Sequence, residues 1–223
     1  VDQLVGRTGF CIHPEEALKK IPKVGGTKSV NLKKIRALAP THVIVNVDEN
    51  RKETADALAQ FVPNVIVTHP LAPLDNPKLY RQIGKAFGRA REAELLCDRF
   101  DAAFRAVQEK SFERKKALYL IWKDPWMTVS RDTYVSRMLQ LSGLDTVPEK
   151  SGKRYPELDT LEIKDAELIL LSTEPYRFRQ KHRDELQTTL KKPVYLIDGE
   201  MTSWYGPRAI AGLGYLAEFS SSL

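Results

Sequence analysis

The residues able to do chemistry in this chain collect in short stretches that follow apolar runs. In the first half these are Phe10, Cys11, His13, then Asn46, Asp48 and Glu49 after the run 42–47, and His69 after the run 65–68. In the second half they are Trp122, Asp124 and Trp126 after the run 117–122, and Glu174, Tyr176 and Arg177 after the run 168–172. Glu200, Trp204 and Tyr205 follow the run 194–197. All three tryptophans therefore lie at the end of an apolar run or just beyond it. Aromatic walls with a few charged groups suit a bulky, partly apolar ligand that is bound, not transformed. Arg177 could pair with a carboxylate or phosphate on such a ligand. Cys11, His13 and His69, with a carboxylate such as Glu49, are donors that a transition-metal ion accepts, and direct metal-ion binding is the alternative reading. Their spacing matches no zinc pattern. No nucleophile elbow, Ser-His-Asp order or paired-carboxylate signature is present, so the residues predict no enzyme and no cofactor.

These stretches must be positioned by an alternating framework. His42–Val47 and Val65–Thr68 read as buried strands, and Asn31–Leu38 as a short helix with Leu32, Ile35 and Leu38 on its buried face. Residues 3–9 read as a further strand, and Glu53–Phe61 as a helix. After the middle of the chain, Ala117–Trp122, Leu168–Ser172 and Val194–Ile197 read as strands. Helices are predicted over 133–141, 180–190 and from Pro207 onward, with a loop over 198–206. Strand–helix alternation with helices this short predicts parallel sheets, and ligands of open parallel sheets bind beyond the carboxyl ends of the strands.

Between the halves, 77–116 is helical. Leu79, Ile83, Ala86 and Phe87, then Ala93, Leu96, Phe100, Phe104 and Val107, recur every three to four positions. Gly88 divides the stretch into helices over 77–87 and 89–111, the second about 35 Å long at about 1.5 Å per residue. The expected architecture is α/β: an N-terminal lobe over 1–76, a helical linker over 77–116 with one long backbone helix, and a C-terminal lobe over 117–223. The ligand would lie in the cleft between the lobes.

Composition sets the remaining bounds. The chain of 223 residues is 42% hydrophobic and 29% charged, with a formal charge of +6. The basic residues are dispersed, and Glu113-Arg114-Lys115-Lys116 reads as a solvated face, so nucleic acid is not a predicted partner. No apolar run approaches the length of a membrane span, and no segment reads as a signal peptide. The two cysteines, Cys11 and Cys97, form no CxxC pair.

Val24-Gly25-Gly26 followed by Asn31-Leu32-Lys33-Lys34-Ile35-Arg36-Ala37-Leu38-Ala39-Pro40-Thr41-His42-Val43-Ile44 resembles the "VG…LEKIxALKPDLVI" segment of ABC-transporter solute-binding proteins. The closest class is the helical-backbone type that captures cobalamin, ferric siderophores or haem. The long central helix, the segment Leu158–Leu171 and the terminal loop and helix are similar too. The resemblance implies two lobes, a metal chelate such as a corrinoid or ferric siderophore held between them, and a periplasmic address. It also implies delivery to an ABC-transporter permease dimer. In cobalamin-binding members an aromatic at the position of Phe10 and tryptophans near Trp204 line the pocket. Phe10, Asn46, Glu49, Trp122, Trp126, Tyr176, Arg177, Trp204 and Tyr205 are therefore the expected ligand contacts. Family members open with a strand and turn of the type "RIVSLxPSxTE", which this sequence lacks, so the N-terminal lobe is expected without its opening strand. The acidic docking residue of "LEKI" is Lys33 here, and its second-lobe counterpart falls on Asp159 or Glu162.

Overall fold

Short continuous apolar runs in the strands and apolar residues near every 3.6 positions in the helices sort this chain into sheets with helical cover. The computed structural model describes residues 3–149, 151–161 and 164–223. It divides into two units, Val1–His69 and Pro70–Leu223.

The first unit contains α1 (Glu15–Leu18), α2 (Leu32–Leu38), β1 (His42–Asn46), α3 (Lys52–Ala59) and β2 (Asn64–Thr68). Asn31 starts α2 by accepting a hydrogen bond from the Lys34 backbone N–H at 3.0 Å, which satisfies one of the free donors of the first turn. β1 and β2 pair in parallel, from His42 opposite Asn64 to Asn46 opposite Thr68. Val24, Ile35, Val45, Leu58 and Val62 form the core.

Three local expectations change here. The run 42–47 is not buried throughout: Val45 and Asn46 are buried, but Ile44 is 52% and Val47 50% exposed. The core cluster covers one face of the two-stranded sheet, so alternate side chains of β1 point away from it. Leu32 lies exposed at the start of α2, where only Ile35 is fully inside. Residues 3–9 form no strand; they make an isolated parallel bridge, Arg7 to Lys23, with Val24 N–H donating to Arg7 O at 2.9 Å.

The second unit opens with a 3₁₀ turn, Pro73–Asp75, and α4 (Asn76–Ala86), then α5 (Ala90–Gln108), β3 (Lys115–Trp122) and β4 (Met127–Thr128). It continues through α6 (Tyr134–Gln140), β5 (Leu144–Thr146), β6 (Leu168–Ser172), α7 (Gln180–Leu190) and β7 (Val194–Ile197). It closes with α8 (Gly199–Ser203) and α9 (Arg208–Ser221). The sheet order is β4-β3-β6-β7, with β5 also on β3; β3, β5, β6 and β7 are mutually parallel and β4 turns back antiparallel. The short β4 and β5 were missed in the sequence, because strands of two and three residues carry no periodicity to read.

Every residue of β6 is buried, as a central parallel strand covered on both faces should be. Ala117, Tyr119, Leu168 and Leu170 join one core cluster with Phe100 of α5, Met138 of α6 and Leu213 of α9. Leu118, Leu120, Ile169 and Leu171 join the other, with Phe178 and Leu186. The alternation along β3 and β6 thus divides two cores between the two faces. The helices of the expected linker are built into this second unit: Ala93, Cys97, Phe100 and Val107 of α5 pack in the same cluster as Tyr119. Full burial of a ring such as Phe100 contributes roughly 1.5–3 kcal/mol. Gly88, at φ +63, separates α4 from α5 where the sequence placed the break.

Candidate functional site

The parallel strands β3, β6 and β7 deliver three loops to one edge of the second unit. Trp122 ends β3; residues 173–178 follow β6; α8 and residues 204–206 follow β7. Trp122 is 39% exposed and meets Tyr176 edge to face, with ring centroids 5.6 Å apart. The Tyr176 N–H donates to Ile121 O at 3.4 Å, which holds the post-β6 loop against the end of β3. Arg177, next in that loop, is exposed and makes no ion pair among the described residues.

The post-β7 loop is fixed from both sides. Asp198 Oδ1 accepts from the backbone N–H groups of Glu200 (2.9 Å) and Met201 (3.3 Å), which starts α8. Asn76, fully buried at the start of α4, accepts the Gly206 N–H at 2.7 Å. It donates in turn to Pro73 O at 2.8 Å and to Tyr134 Oη at 3.0 Å. Tyr80 Oη donates to Gly206 O at 2.8 Å. Burial pushes the Tyr80 and Tyr134 hydroxyls well above the usual phenol range, so both act as neutral partners at any physiological pH.

The Glu174 side chain links the post-β6 loop to the post-β7 loop. Its Oε1 accepts from Trp204 Nε1 and lies 2.9 Å from Ser203 Oγ. Burial raises its carboxyl above the ordinary value, an effect the Ser203 and Trp204 bonds oppose and the nearby Glu200 and Asp198 charges reinforce. Arg208 pairs with Glu200 at 3.2 Å and lies 5.7 Å from the centre of the Trp204 ring.

The remaining second-unit candidates sit deeper. Trp126 stacks on Phe178 (6.1 Å, 2° between planes) and packs against the core of Leu118 and Leu171. Tyr205 meets Tyr134 edge to face at 6.1 Å and packs on the opposite core.

In the first unit Phe10 is 63% exposed. Asn46 is buried and serves its own turn, accepting from the Asp48 N–H (2.9 Å) and Glu49 N–H (3.2 Å) and donating to Thr68 O at 3.0 Å. Glu49 accepts from Thr27 Oγ1 at 3.3 Å. Cys11 is an exposed free thiol, 3.5 Å from Thr8 Oγ1, and His69 Nε2 lies 3.5 Å from Asp48 Oδ1. Among the described residues no three His, Cys, Asp or Glu side chains come close enough together to hold a metal ion. The alternative of direct metal-ion binding through Cys11, His13 and His69 therefore finds no support.

Sequence reasoning placed Glu174 at a strand end without giving it a role, and it missed Asn76. The signals were present: a polar Ser-Thr-Glu directly after a fully buried run, and an asparagine preceding a proline at a helix start.

A chain with parallel strands arranged in this way has relatives among known proteins. The sequence matches the periplasmic binding protein family over residues 1–191. The chain belongs to that family. As a periplasmic binding protein it is a solute-binding protein and not an enzyme. It is similar to an ABC transporter substrate-binding lipoprotein, YvrC, of Bacillus subtilis, 25% identical over 97% of this chain and 73% of that one. It is also similar to the vitamin B12-binding protein of Pectobacterium carotovorum, 21% identical over 94% of this chain and 77% of the relative. Among solved structures, the periplasmic heme-binding protein BhuT in complex with two hemes superposes with a TM-score of 0.84 at 17% identity, covering 98% and 88% of the two chains. These similarities establish the mixed α/β fold with parallel sheets expected from the sequence. Glu162, one of the two expected second-lobe docking positions, lies outside the described residues; Asp159 is exposed.

Proposed function

We propose that this periplasmic binding protein captures a metal chelate, a corrinoid or a ferric siderophore, outside the cytoplasmic membrane and presents it to an ABC-transporter permease dimer. The observation that carries the reading is the pair of indoles at the ends of parallel strands. Trp122 is exposed beside Tyr176, and Trp204 is held at its nitrogen by Glu174, with the Arg208 guanidinium 5.7 Å from the centre of its ring. Stacking area of this kind suits a large, flat or lobed chelate. Arg177 supplies a charge for a carboxylate or phosphate on it. The relatives, a substrate-binding lipoprotein of an ABC transporter and a vitamin B12-binding protein, support the transport role and the class of ligand.

All three tryptophans belong to the second unit, so their fluorescence reports the proposed site directly. Titration with cyanocobalamin or a ferric hydroxamate should quench it with a Kd of about a micromolar or tighter. Trp204→Ala should weaken that binding about tenfold or more without lowering the melting temperature by more than a few degrees. Absence of saturable quenching by either type of chelate refutes the ligand class.

A further inference from the structure

Glu174 is a half-buried carboxyl in the loop after β6. The carboxylate reaches back from the post-β6 loop to the post-β7 loop and accepts the Trp204 indole N–H on Oε1, the oxygen that also lies 2.9 Å from Ser203 Oγ. The Ser203 hydroxyl has one proton and two acceptors within reach, Glu174 Oε1 and Gly199 O at 2.6 Å, whereas the indole N–H donates to Glu174. Space for the side chain is provided deliberately by the backbone beside it. A Cβ on Gly199 would lie 2.5 Å from Glu174 Cγ and 2.5 Å from Ser172 Oγ.

We propose that Glu174 is the positioning residue of this binding site, holding the Trp204 ring at a fixed angle so that one face is presented for stacking. The proposal rests on the reading of Trp204 as a ligand contact. The loop itself has other anchors, because Asn76 and Tyr80 secure both backbone groups of Gly206 and Asp198 secures the start of α8. Removing the carboxylate therefore frees the ring and leaves the loop in place. The rotation of an indole about its two side-chain bonds is the freedom that the bond suppresses, and a ring ordered before binding loses less on binding.

Among the described residues, the charged and titratable groups around Glu174 are Asp198 and Glu200 at the start of α8, Arg208 of α9, which is paired with Glu200, and the buried Tyr119 of β3, whose hydroxyl donates to Ser172 Oγ. The Trp204 resonance should therefore follow the Glu174 carboxyl as it titrates, which burial shifts upward from its ordinary value.

The test uses the whole chain labelled with ¹⁵N-tryptophan, which gives three indole N–H signals, that of Trp204 being the one lost in Trp204→Phe. In the parent that signal should titrate, and in Glu174→Gln, which keeps an acceptor oxygen, it should lose the titration but stay protected. In Glu174→Ala its hydrogen exchange should accelerate about tenfold or more, with the Trp122 and Trp126 signals unmoved. Cyanocobalamin, or a ferric hydroxamate if that is the chelate bound, should bind Glu174→Ala more weakly and Glu174→Gln almost as the parent. Unchanged exchange in Glu174→Ala, a Gln variant that behaves like the Ala variant, or movement of all three indoles together overturns the proposal. If the indole results hold but neither probe binds the parent, the positioning of Trp204 stands and the ligand class falls.

Discussion

Asn76 offers the sharpest test of how the post-β7 loop is built. Its side chain is fully buried and makes three hydrogen bonds: from Gly206 N–H at 2.7 Å, to Pro73 O at 2.8 Å and to Tyr134 Oη at 3.0 Å. Asn76→Ala removes all three. Two losses at about 1 kcal/mol each, plus about 1–3 kcal/mol for the Gly206 N–H left without its acceptor, give about 3–5 kcal/mol. For a unit spanning residues 70–223, each kcal/mol lowers the melting temperature by about 2–4 °C, so a fall of about 6–20 °C is expected. Tryptophan fluorescence during urea and thermal unfolding is the assay, since every indole belongs to this unit. Asn76→Asp separates the donors from the acceptor. It can still accept from Gly206, but at neutral pH it turns a second oxygen toward the Pro73 carbonyl and buries a charge. It should be at least as destabilised as Asn76→Ala at pH 7 and recover partly near pH 4, where a protonated carboxyl can donate one bond. A loss under about 1 kcal/mol in Asn76→Ala would refute the reasoning, as would an Asp variant as stable as the parent.

Gly212→Ala should destabilise the same unit by about 2 kcal/mol, because the new methyl would lie 2.2 Å from the Met201 carbonyl oxygen, which backbone cannot yield cheaply; urea midpoints measure it. Glu174 gives a pH signature of stability. Its folded carboxyl lies above the ordinary 4.5, so the native state retains a proton that the unfolded chain has released. Its contribution is therefore full below about 4.5 and lost as pH rises through the raised folded value, and Glu174→Gln should flatten that part of the stability profile. Lys33 is exposed on α2, so if an acidic docking residue is what the permease reads, Lys33→Glu should strengthen the complex at low salt and lose the gain at high salt. A weaker or unchanged complex at low salt would show that this surface is not the dock.

Much of this protein follows from local pattern. β6, β7 and α7 fall at 168–172, 194–197 and 180–190, where periodicity placed them, and Gly88 breaks the central helices where its missing side chain allows a positive φ. The aromatic residues at strand ends could be collected from the sequence, because parallel strands deliver their carboxyl ends to one edge. What each ring does there could not. Trp126 and Trp204 read alike as tryptophans in loops, yet one stacks on Phe178 in a core and the other hangs from the Glu174 carboxylate. The difference lies in partners 30 to 52 residues away, and spacing along a chain carries no record of them. The same holds for Asn76, which binds Gly206 across 130 residues, and for Ile44, whose exposure depends on how many faces of its sheet are covered. Periodicity is a property of one element and is written in the sequence; the partner of a polar group is a property of two, and only packing brings them together.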